Sequence, residues 1–348
     1  MFIDPSRPCL STSRDPNRYT RKELVDIAKL LGIPNVSKKN MKTLCHDINI
    51  MQQMIPTKPK LLGSGGYGTV YRPYPIKCKT TQNLKPSFNY VGKLSKSNQA
   101  SKEEYQRFQR IRKRMDPKDK FTIPYYGNCD KTIKNKSNKY WEDNNIEFIF
   151  KYGGIQGETV PEMIHNDPSL VKVVFKSFRN IVQGLQNMKK NKIIHFDIKL
   201  PNLVYNMQRD QMLLIDFDLL VTYNEFIRNC NGRTSRFYYA HPPEVNKLCN
   251  GNKIISMKNR KWLKDMVPDS NFLKEYILYM KDKQHIKISD VDPSKIDLFS
   301  LGLVFSELFG KRNKDIWNLT QKMIVIHPKN RISISQFSRE YNQLYRSL

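Results

Sequence analysis

The sequence predicts an α+β protein whose strands come early and whose helices come late, and three observations carry that expectation. A glycine-rich run from Leu61, LLGSGGYGTVYRP, passes into β-branched and aromatic residues and then prolines, as the returning arm of a hairpin does. The segments NYVGKLSK and IEFIFKYGG read as further strands before residue 154. Residues 170–190 then carry Val174, Phe178, Ile181, Val182 and Leu185 at helical spacing, and MKNRKWLKDM and NFLKEYILYMKDK leave room for two more helices.

With 348 residues, the chain has room for one large two-part domain, or for a somewhat smaller domain with an appendage. Its 60 basic and 32 acidic residues leave a net charge of +28, which favours anionic partners: nucleotide, nucleic acid, acidic protein or membrane surface. No run approaches the roughly 18 apolar residues of a membrane-spanning helix, and the opening MFIDPSRPCLSTSRDP is not signal-like, so a soluble intracellular protein without membrane insertion is expected. The six cysteines show neither CxxC pairs nor metal-ligand spacing, and read as free thiols in a reducing compartment.

Taken in order, residues 1–17 are polar and contain proline, as disordered termini do. Residues 18–56 then suggest two short helices: Thr20 caps a stripe of Leu24, Ile27, Leu30 and Leu31 that stops at Gly32, and Ser37 or Asn40 starts a second with Met41, Leu44 and Ile48. This pair resembles small helix-extended-helix (SAP-like) modules, and reads either as a packing or docking element or as a weak nucleic-acid-binding unit. In the glycine run, Gly63, Gly65 and Gly68 let a hairpin backbone lie close over phosphates, with Tyr67 at its tip and Val70 beyond. After a loop at 73–87, a strand ends near Lys93, and SKEEYQRFQRIRKRM forms a helix with Ser101 as cap and Tyr105, Phe108, Ile111 and Met115 facing inward.

The chemistry concentrates in HFDIKLPNLVYN (195–206) and IDFD (215–218). A hydroxyl acceptor needs a carboxylate, here Asp197, to orient it and take its proton. Transfer of a phosphoryl group needs nearby positive charge, which Lys199 supplies, and a magnesium nucleotide needs hard oxygen ligands such as Asn202 and Asp216. His195 reads as a buried histidine supporting the loop.

These runs resemble the catalytic loop and metal-binding segment of the eukaryotic-type protein kinases, and the likeness spans roughly residues 57–345. It implies a two-lobed kinase-like fold: a small β-sheet lobe with one main helix over 57–152, and a larger, mainly helical lobe over 153–345 with an insertion at about 246–292. ATP and Mg2+ are the implied cofactors. Leu62, Gly63, Gly65, Gly68 and Val70 would cover the nucleotide, Lys93 would hold its phosphates with Glu104, preferred over Glu103, as partner, Phe150 would stand at the gatekeeper position and Tyr152 in the hinge. Asp197 and Lys199 take the catalytic roles, and Asn202 and Asp216 the metal. Asp297 would fasten the catalytic loop, and Glu244 of PPE would pair with Arg331.

The sequence departs from the family at three places. Phe196 stands where most members carry arginine, which weakens the case for control by loop phosphorylation. Asp218 replaces a glycine free to adopt positive φ, at a cost of about 1 kcal/mol. Phe237 occupies the place of a threonine that bonds the catalytic pair, and Thr234 or Ser235 would fit only with a local shift; Arg233 and Arg236 could favour acidic substrates. The implied activity is transfer of the γ-phosphate of ATP to a protein serine or threonine, in a style similar to kinases of large DNA viruses acting in host cytoplasm or virion. The alternative is a nucleotide-binding scaffold without efficient catalysis.

Overall fold

The computed structural model describes residues 19–31, 33, 35–53, 60–65, 68–72, 90–96, 99–129, 145–206, 209–230, 238, 240–250, 256–267, 269–282, 286–310 and 312–348. The expected disordered terminus, the Gly32 stop, Tyr67, the 73–87 loop and residues 233–237 lie outside them. The chain forms two compact units. The first comprises Met1–Gln106, Ile123–Gly154 and Asn206–Arg209, and the second Arg107–Thr122, Ile155–Tyr205 and Asp210–Leu348.

In the first unit, α1 (Arg21–Leu31) and α2 (Met41–Gln53) share a core of Tyr19, Leu24, Ile27, Ala28, Ile33, Val36, Leu44, Cys45 and Ile48. Thr20 and Glu23 close a capping box: the Thr20 hydroxyl accepts the Glu23 N–H at 3.2 Å, and the Glu23 carboxylate accepts the Thr20 N–H at 2.7 Å. Asn40, one of the two expected starts, caps α2 by accepting the Thr43 N–H at 2.9 Å.

The sheet of this unit is antiparallel, in the order β1-β2-β3-β5-β4. Its strands are β1 (Lys60–Gly65), β2 (Gly68–Arg72), β3 (Tyr90–Lys96), β4 (Tyr125–Cys129) and β5 (Asn145–Lys151). Helix α3 (Gln99–Met115) begins two residues before the expected cap at Ser101 and buries Phe108, Ile111 and Met115, three of the four residues of its expected inner stripe.

The second unit is mainly helical. After β6 (Ile155–Gln156) and α4 (Val160–Asn166), the expected single helix over 170–190 is two: α5 (Leu170–Ser177) and α6 (Arg179–Lys190). The break follows from Ser177, whose hydroxyl donates to the Val174 carbonyl at 2.6 Å and competes with the backbone ladder; Phe178 N–H turns to Phe175 O at 3.2 Å. Short strands β7 (Ile193–Ile194), β8 (Leu203–Asn206), β9 (Gln211–Leu214) and β10 (Val221–Thr222) then frame two loops, with β6-β8-β9 and β10-β7 pairing.

Helices α7 (Tyr223–Cys230), α8 (Pro243–Asn250), α9 (Met257–Met266) and α10 (Ser270–Lys281) precede α11 (Ile296–Phe309), which is buried along nearly its whole length. Helices α12 (Lys314–Met323) and α13 (Ile334–Ser347) complete the unit. The two helices expected from MKNRKWLKDM and NFLKEYILYMKDK are α9 and α10. Their Leu263, Met266, Phe272, Tyr276 and Met280 build one core with Phe299 and Leu303 of α11 and Trp317 of α12. At Gly302 a Cβ would come within 2.7 Å of Ile324 and 2.8 Å of Met323, so glycine is what lets the chain approach α11 there.

The expectation of free thiols is corrected: Cys230 at the end of α7 and Cys249 in α8 are joined by a disulfide, and Cys45 is also disulfide-bonded. Cys230 and Cys249 lie 19 residues apart in sequence, a separation without local signature; folding of α7 and α8 brings their Cα atoms to 4.8 Å.

Candidate active site

The loop after β7 is held from beneath by one carboxylate. Asp297, at the start of α11, accepts the His195 N–H at 2.7 Å and the Phe196 N–H at 2.9 Å, one on each oxygen. Burial raises its pKa to about 6 despite those bonds. His195 is fully buried, its Nδ1 accepting the Asp197 N–H at 3.3 Å, and burial lowers its pKa to about 4, so the ring is neutral.

The clamp presents Asp197, whose buried carboxylate gathers three side chains. Asn202 Nδ2 donates to Oδ2 at 2.6 Å and to the Asp197 carbonyl at 2.9 Å. Lys199 Nζ lies 3.1 Å from Oδ1, and the Tyr238 hydroxyl donates to that same oxygen. Lys199 Nζ also donates to Tyr238 Oη at 2.8 Å. Asp197, Lys199 and Asn202 are thereby brought together.

Asp216 follows β9. The Ile215 N–H donates to the Asn202 carbonyl at 2.9 Å, tying the segment to the loop, and Asp216 takes left-handed φ 59°. Because the Asn202 amide hydrogens face Asp197, its amide oxygen is left for another partner, which suits a hard cation; with the Asp216 carboxylate, the donor set fits magnesium. Phe217 stacks on Phe108 of α3 with centroids 4.8 Å apart and lies 4.7 Å from His195.

The first unit carries the other expected residues. Gly65 faces Gly68 across the hairpin, Gly63 pairs with Val70, and Val70 in turn pairs with Lys93 of β3. Leu62 lies in β1. Gly68 has φ 146°, and a Cβ there would lie 2.2 Å from the Leu94 carbonyl, whereas one at Gly63 would meet open space. Phe150 sits in β5 opposite Val91 and Tyr125. Beyond β5, the half-buried Tyr152 ring stacks under the Arg72 guanidinium at 3.4 Å. Glu104 lies on α3, its side chain outside the described residues.

Compared with known proteins, the chain matches the family model described as Protein kinase domain over residues 57–341. The chain belongs to the protein kinase family. It is 25% identical over 211 residues to mitogen-activated protein kinase kinase kinase 19 of Homo sapiens, covering 57% of this chain and 14% of that protein. It is 27% identical over 172 residues to mitogen-activated protein kinase 14 of Arabidopsis thaliana, covering 44% of this chain and 46% of that protein. The chain spans less than half the length of each of these relatives. Its α+β architecture is the two-lobed kinase fold.

Two departures of this chain from the family pattern have structural answers. Phe196, at φ 68°, packs on His241 with centroids 4.0 Å apart and on Phe226 at 5.7 Å, and its carbonyl meets His241 Nε2 at 2.9 Å. An apolar contact stands where most family members carry arginine. Asp218 corrects the second expectation: it is not among the positive-φ residues, and the left-handed positions fall on Phe196 and Asp216. The backbone cost ascribed to Asp218 does not arise.

Sequence reasoning missed Tyr238, the neighbour of Phe237, as well as Asn246 and Tyr276, which hold it. Spacing counted back from Glu244 pointed one residue away. A polar-capable ring directly beside the empty threonine position was the one available signal.

Proposed function

We propose that the chain is an ATP- and magnesium-dependent serine/threonine protein kinase. The observation that carries this reading is the buried Asp197 carboxylate, bonded by Lys199 and Asn202 in a loop that Asp297 fastens. In this mechanism an acceptor oxygen attacks the γ-phosphorus, the bond from that phosphorus to the β-phosphate oxygen breaks, and the hydroxyl proton passes to Asp197. Lys199 offsets negative charge on the transferring oxygens. Asn202 and Asp216 would hold magnesium, which when bound shields phosphate charge. Leu62, Val70 and the glycines at 63, 65 and 68 cover the nucleotide, Lys93 with Glu104 takes its phosphates, and Tyr152 borders the adenine.

A protein substrate is supported by the two relatives, both protein kinases by name. Serine or threonine specificity rests on the absence of tyrosine-kinase signatures near PPE. We assign 18–56 to a helical extension and 57–345 to the kinase domain, divided at 152 and 153, with 246–292 inserted. The Asn- and Lys-rich, insertion-bearing style is similar to kinases of large DNA viruses, and on that reading the protein works in host cytoplasm or virion. No described helix is long and apolar enough to cross a membrane. The +28 charge supports weak nucleic-acid association through the basic surface or the N-terminal helices.

The test is transfer of labelled γ-phosphate from magnesium ATP to a basic and an acidic protein, followed by phosphoamino-acid analysis. Label on serine or threonine supports the proposal. Label on tyrosine alone contradicts the specificity, and magnesium-dependent ATP binding without transfer points to a scaffold.

A further inference from the structure

One residue outside the expected site, Tyr238, bonds its carboxylate, and two more, Asn246 and Tyr276, hold Tyr238 in turn. Tyr238 places its hydroxyl on Asp197 Oδ1 and receives Lys199 Nζ at 2.8 Å, with that ammonium 5.3 Å from the centre of its ring. The backbone of Tyr238 is itself gripped. Asn246, fully buried in α8, accepts the Tyr238 N–H at 3.0 Å and donates to the Tyr238 carbonyl at 2.8 Å.

The grip extends into α10. Asn246 shares its amide hydrogens further with the His241 carbonyl at 3.1 Å and the Tyr276 hydroxyl at 2.8 Å, and Tyr276, fully buried, donates to the His241 carbonyl at 3.1 Å. Ser300 of α11 donates to the Ala240 carbonyl at 2.7 Å. The carbonyls of Tyr238, Ala240 and His241 are therefore each bonded from a helix, as buried backbone requires. A side chain carried on a backbone bonded this fully is held in place.

We propose that Tyr238 is the positioning residue of the Asp197–Lys199 pair, and that α10 of the added stretch, acting through Tyr276 and Asn246, holds it there. This rests on the kinase reading of the site. The hydroxyl that Phe237 cannot supply comes from the next residue. Its proton fixes the Asp197 carboxylate, its oxygen fixes Lys199, and the ring walls the pair. Asp197 keeps lone-pair capacity for an acceptor hydroxyl, since a carboxylate accepts about four hydrogen bonds. The added helices thereby act on the chemistry as well as on the core.

The experiment compares the full-length wild type with Tyr238→Phe and Tyr276→Phe in steady-state phosphate transfer, and follows urea unfolding of Tyr238→Phe, Asp197→Asn and the double variant. Tyr238→Phe removes only the hydroxyl. Its kcat should fall at least tenfold while KM for ATP stays within twofold, the pattern of lost positioning rather than lost nucleotide binding. Tyr276→Phe should lower kcat in the same direction by a smaller factor. The unfolding cycle should show Tyr238 and Asp197 coupled by about tenfold in the equilibrium constant, with or without activity. An unchanged or increased kcat in Tyr238→Phe overturns the proposal, as does additivity in the cycle. A wild type that transfers no phosphate overturns the kinase reading itself and the positioning role with it, an outcome distinct from an active wild type matched by an equally active Tyr238→Phe.

Discussion

Arg331 and Glu244 meet as a two-pronged ion pair, Nη1 to Oε1 at 2.6 Å and Nη2 to Oε2 at 3.0 Å, with both side chains sealed from solvent. The guanidinium also donates through Nε to the Val325 carbonyl at 3.0 Å. Two buried charges so matched contribute little net stability over an apolar pair, but one left alone is costly. Arg331→Met should therefore lose about 3–5 kcal/mol in urea denaturation. Pairing it with Glu244→Gln should recover part of that loss, and full additivity of the two changes would contradict the pairing.

Asp297 gives each of its oxygens to a different backbone N–H of the loop after β7, those of His195 and Phe196. Asn in its place offers one acceptor and turns an NH2 toward the other donor. Asp297→Asn should cost about 1–3 kcal/mol for the orphaned group. Phosphate transfer should fall as well, because the loop loses its anchor. Equal stability and activity in the variant would show that the clamp is dispensable.

The Cys230–Cys249 bond closes the segment that holds Tyr238 and Glu244. For a loop of 19 residues the chain-entropy model gives about 3 kcal/mol of stabilisation. Cys230→Ser should lower stability by that order under non-reducing conditions, and should match the wild type once both are reduced. Peptide mapping without reductant should recover the linked pair, and two free thiols at these positions would refute the bond.

His241 is buried against Phe196, and burial lowers its pKa from 6.5 to about 4. The folded state then binds fewer protons than the unfolded state between those values. By linkage its contribution is fully present above about pH 6.5 and is lost as pH falls toward 4, on the order of 3 kcal/mol across the window. Asp297 works in the opposite direction between 3.8 and about 6, since its folded-state pKa is raised. The comparison is therefore best made between wild type and His241→Gln: the variant should show a shallower rise of Tm from pH 4.5 to 6.5. Identical slopes would mean that His241 does not titrate as its burial requires.

The readable parts of this chain were those in which function or folding fixes residues at short spacing. The Thr20 cap, the Gly65–Gly68 hairpin turn and the loops at 195–206 and 215–218 each announce themselves locally. Asp297 and Arg331 were legible because the resemblance orders motifs along the chain. What escaped depended on tertiary packing. Helical periodicity runs unbroken across Phe178, so the division of α5 from α6 could not be read from it. The left-handed backbone falls on Phe196, whose N–H the distant Asp297 accepts, and on Asp216 rather than Asp218. Tyr238 took the expected threonine's contacts because Asn246 and Tyr276, 8 and 38 positions further on, hold its backbone turn. Cys230 and Cys249 became neighbours only when α7 and α8 folded.

The most direct test of the central claim is single-turnover transfer of γ-phosphate from magnesium ATP by wild type and Asp197→Asn, with nucleotide affinity measured on the same preparations. Asn keeps the shape of Asp197 but cannot take the acceptor proton. The account predicts unchanged ATP affinity and a transfer rate lower by at least a hundredfold, within the range assigned to a general base. Transfer at the wild-type rate in Asp197→Asn would contradict it.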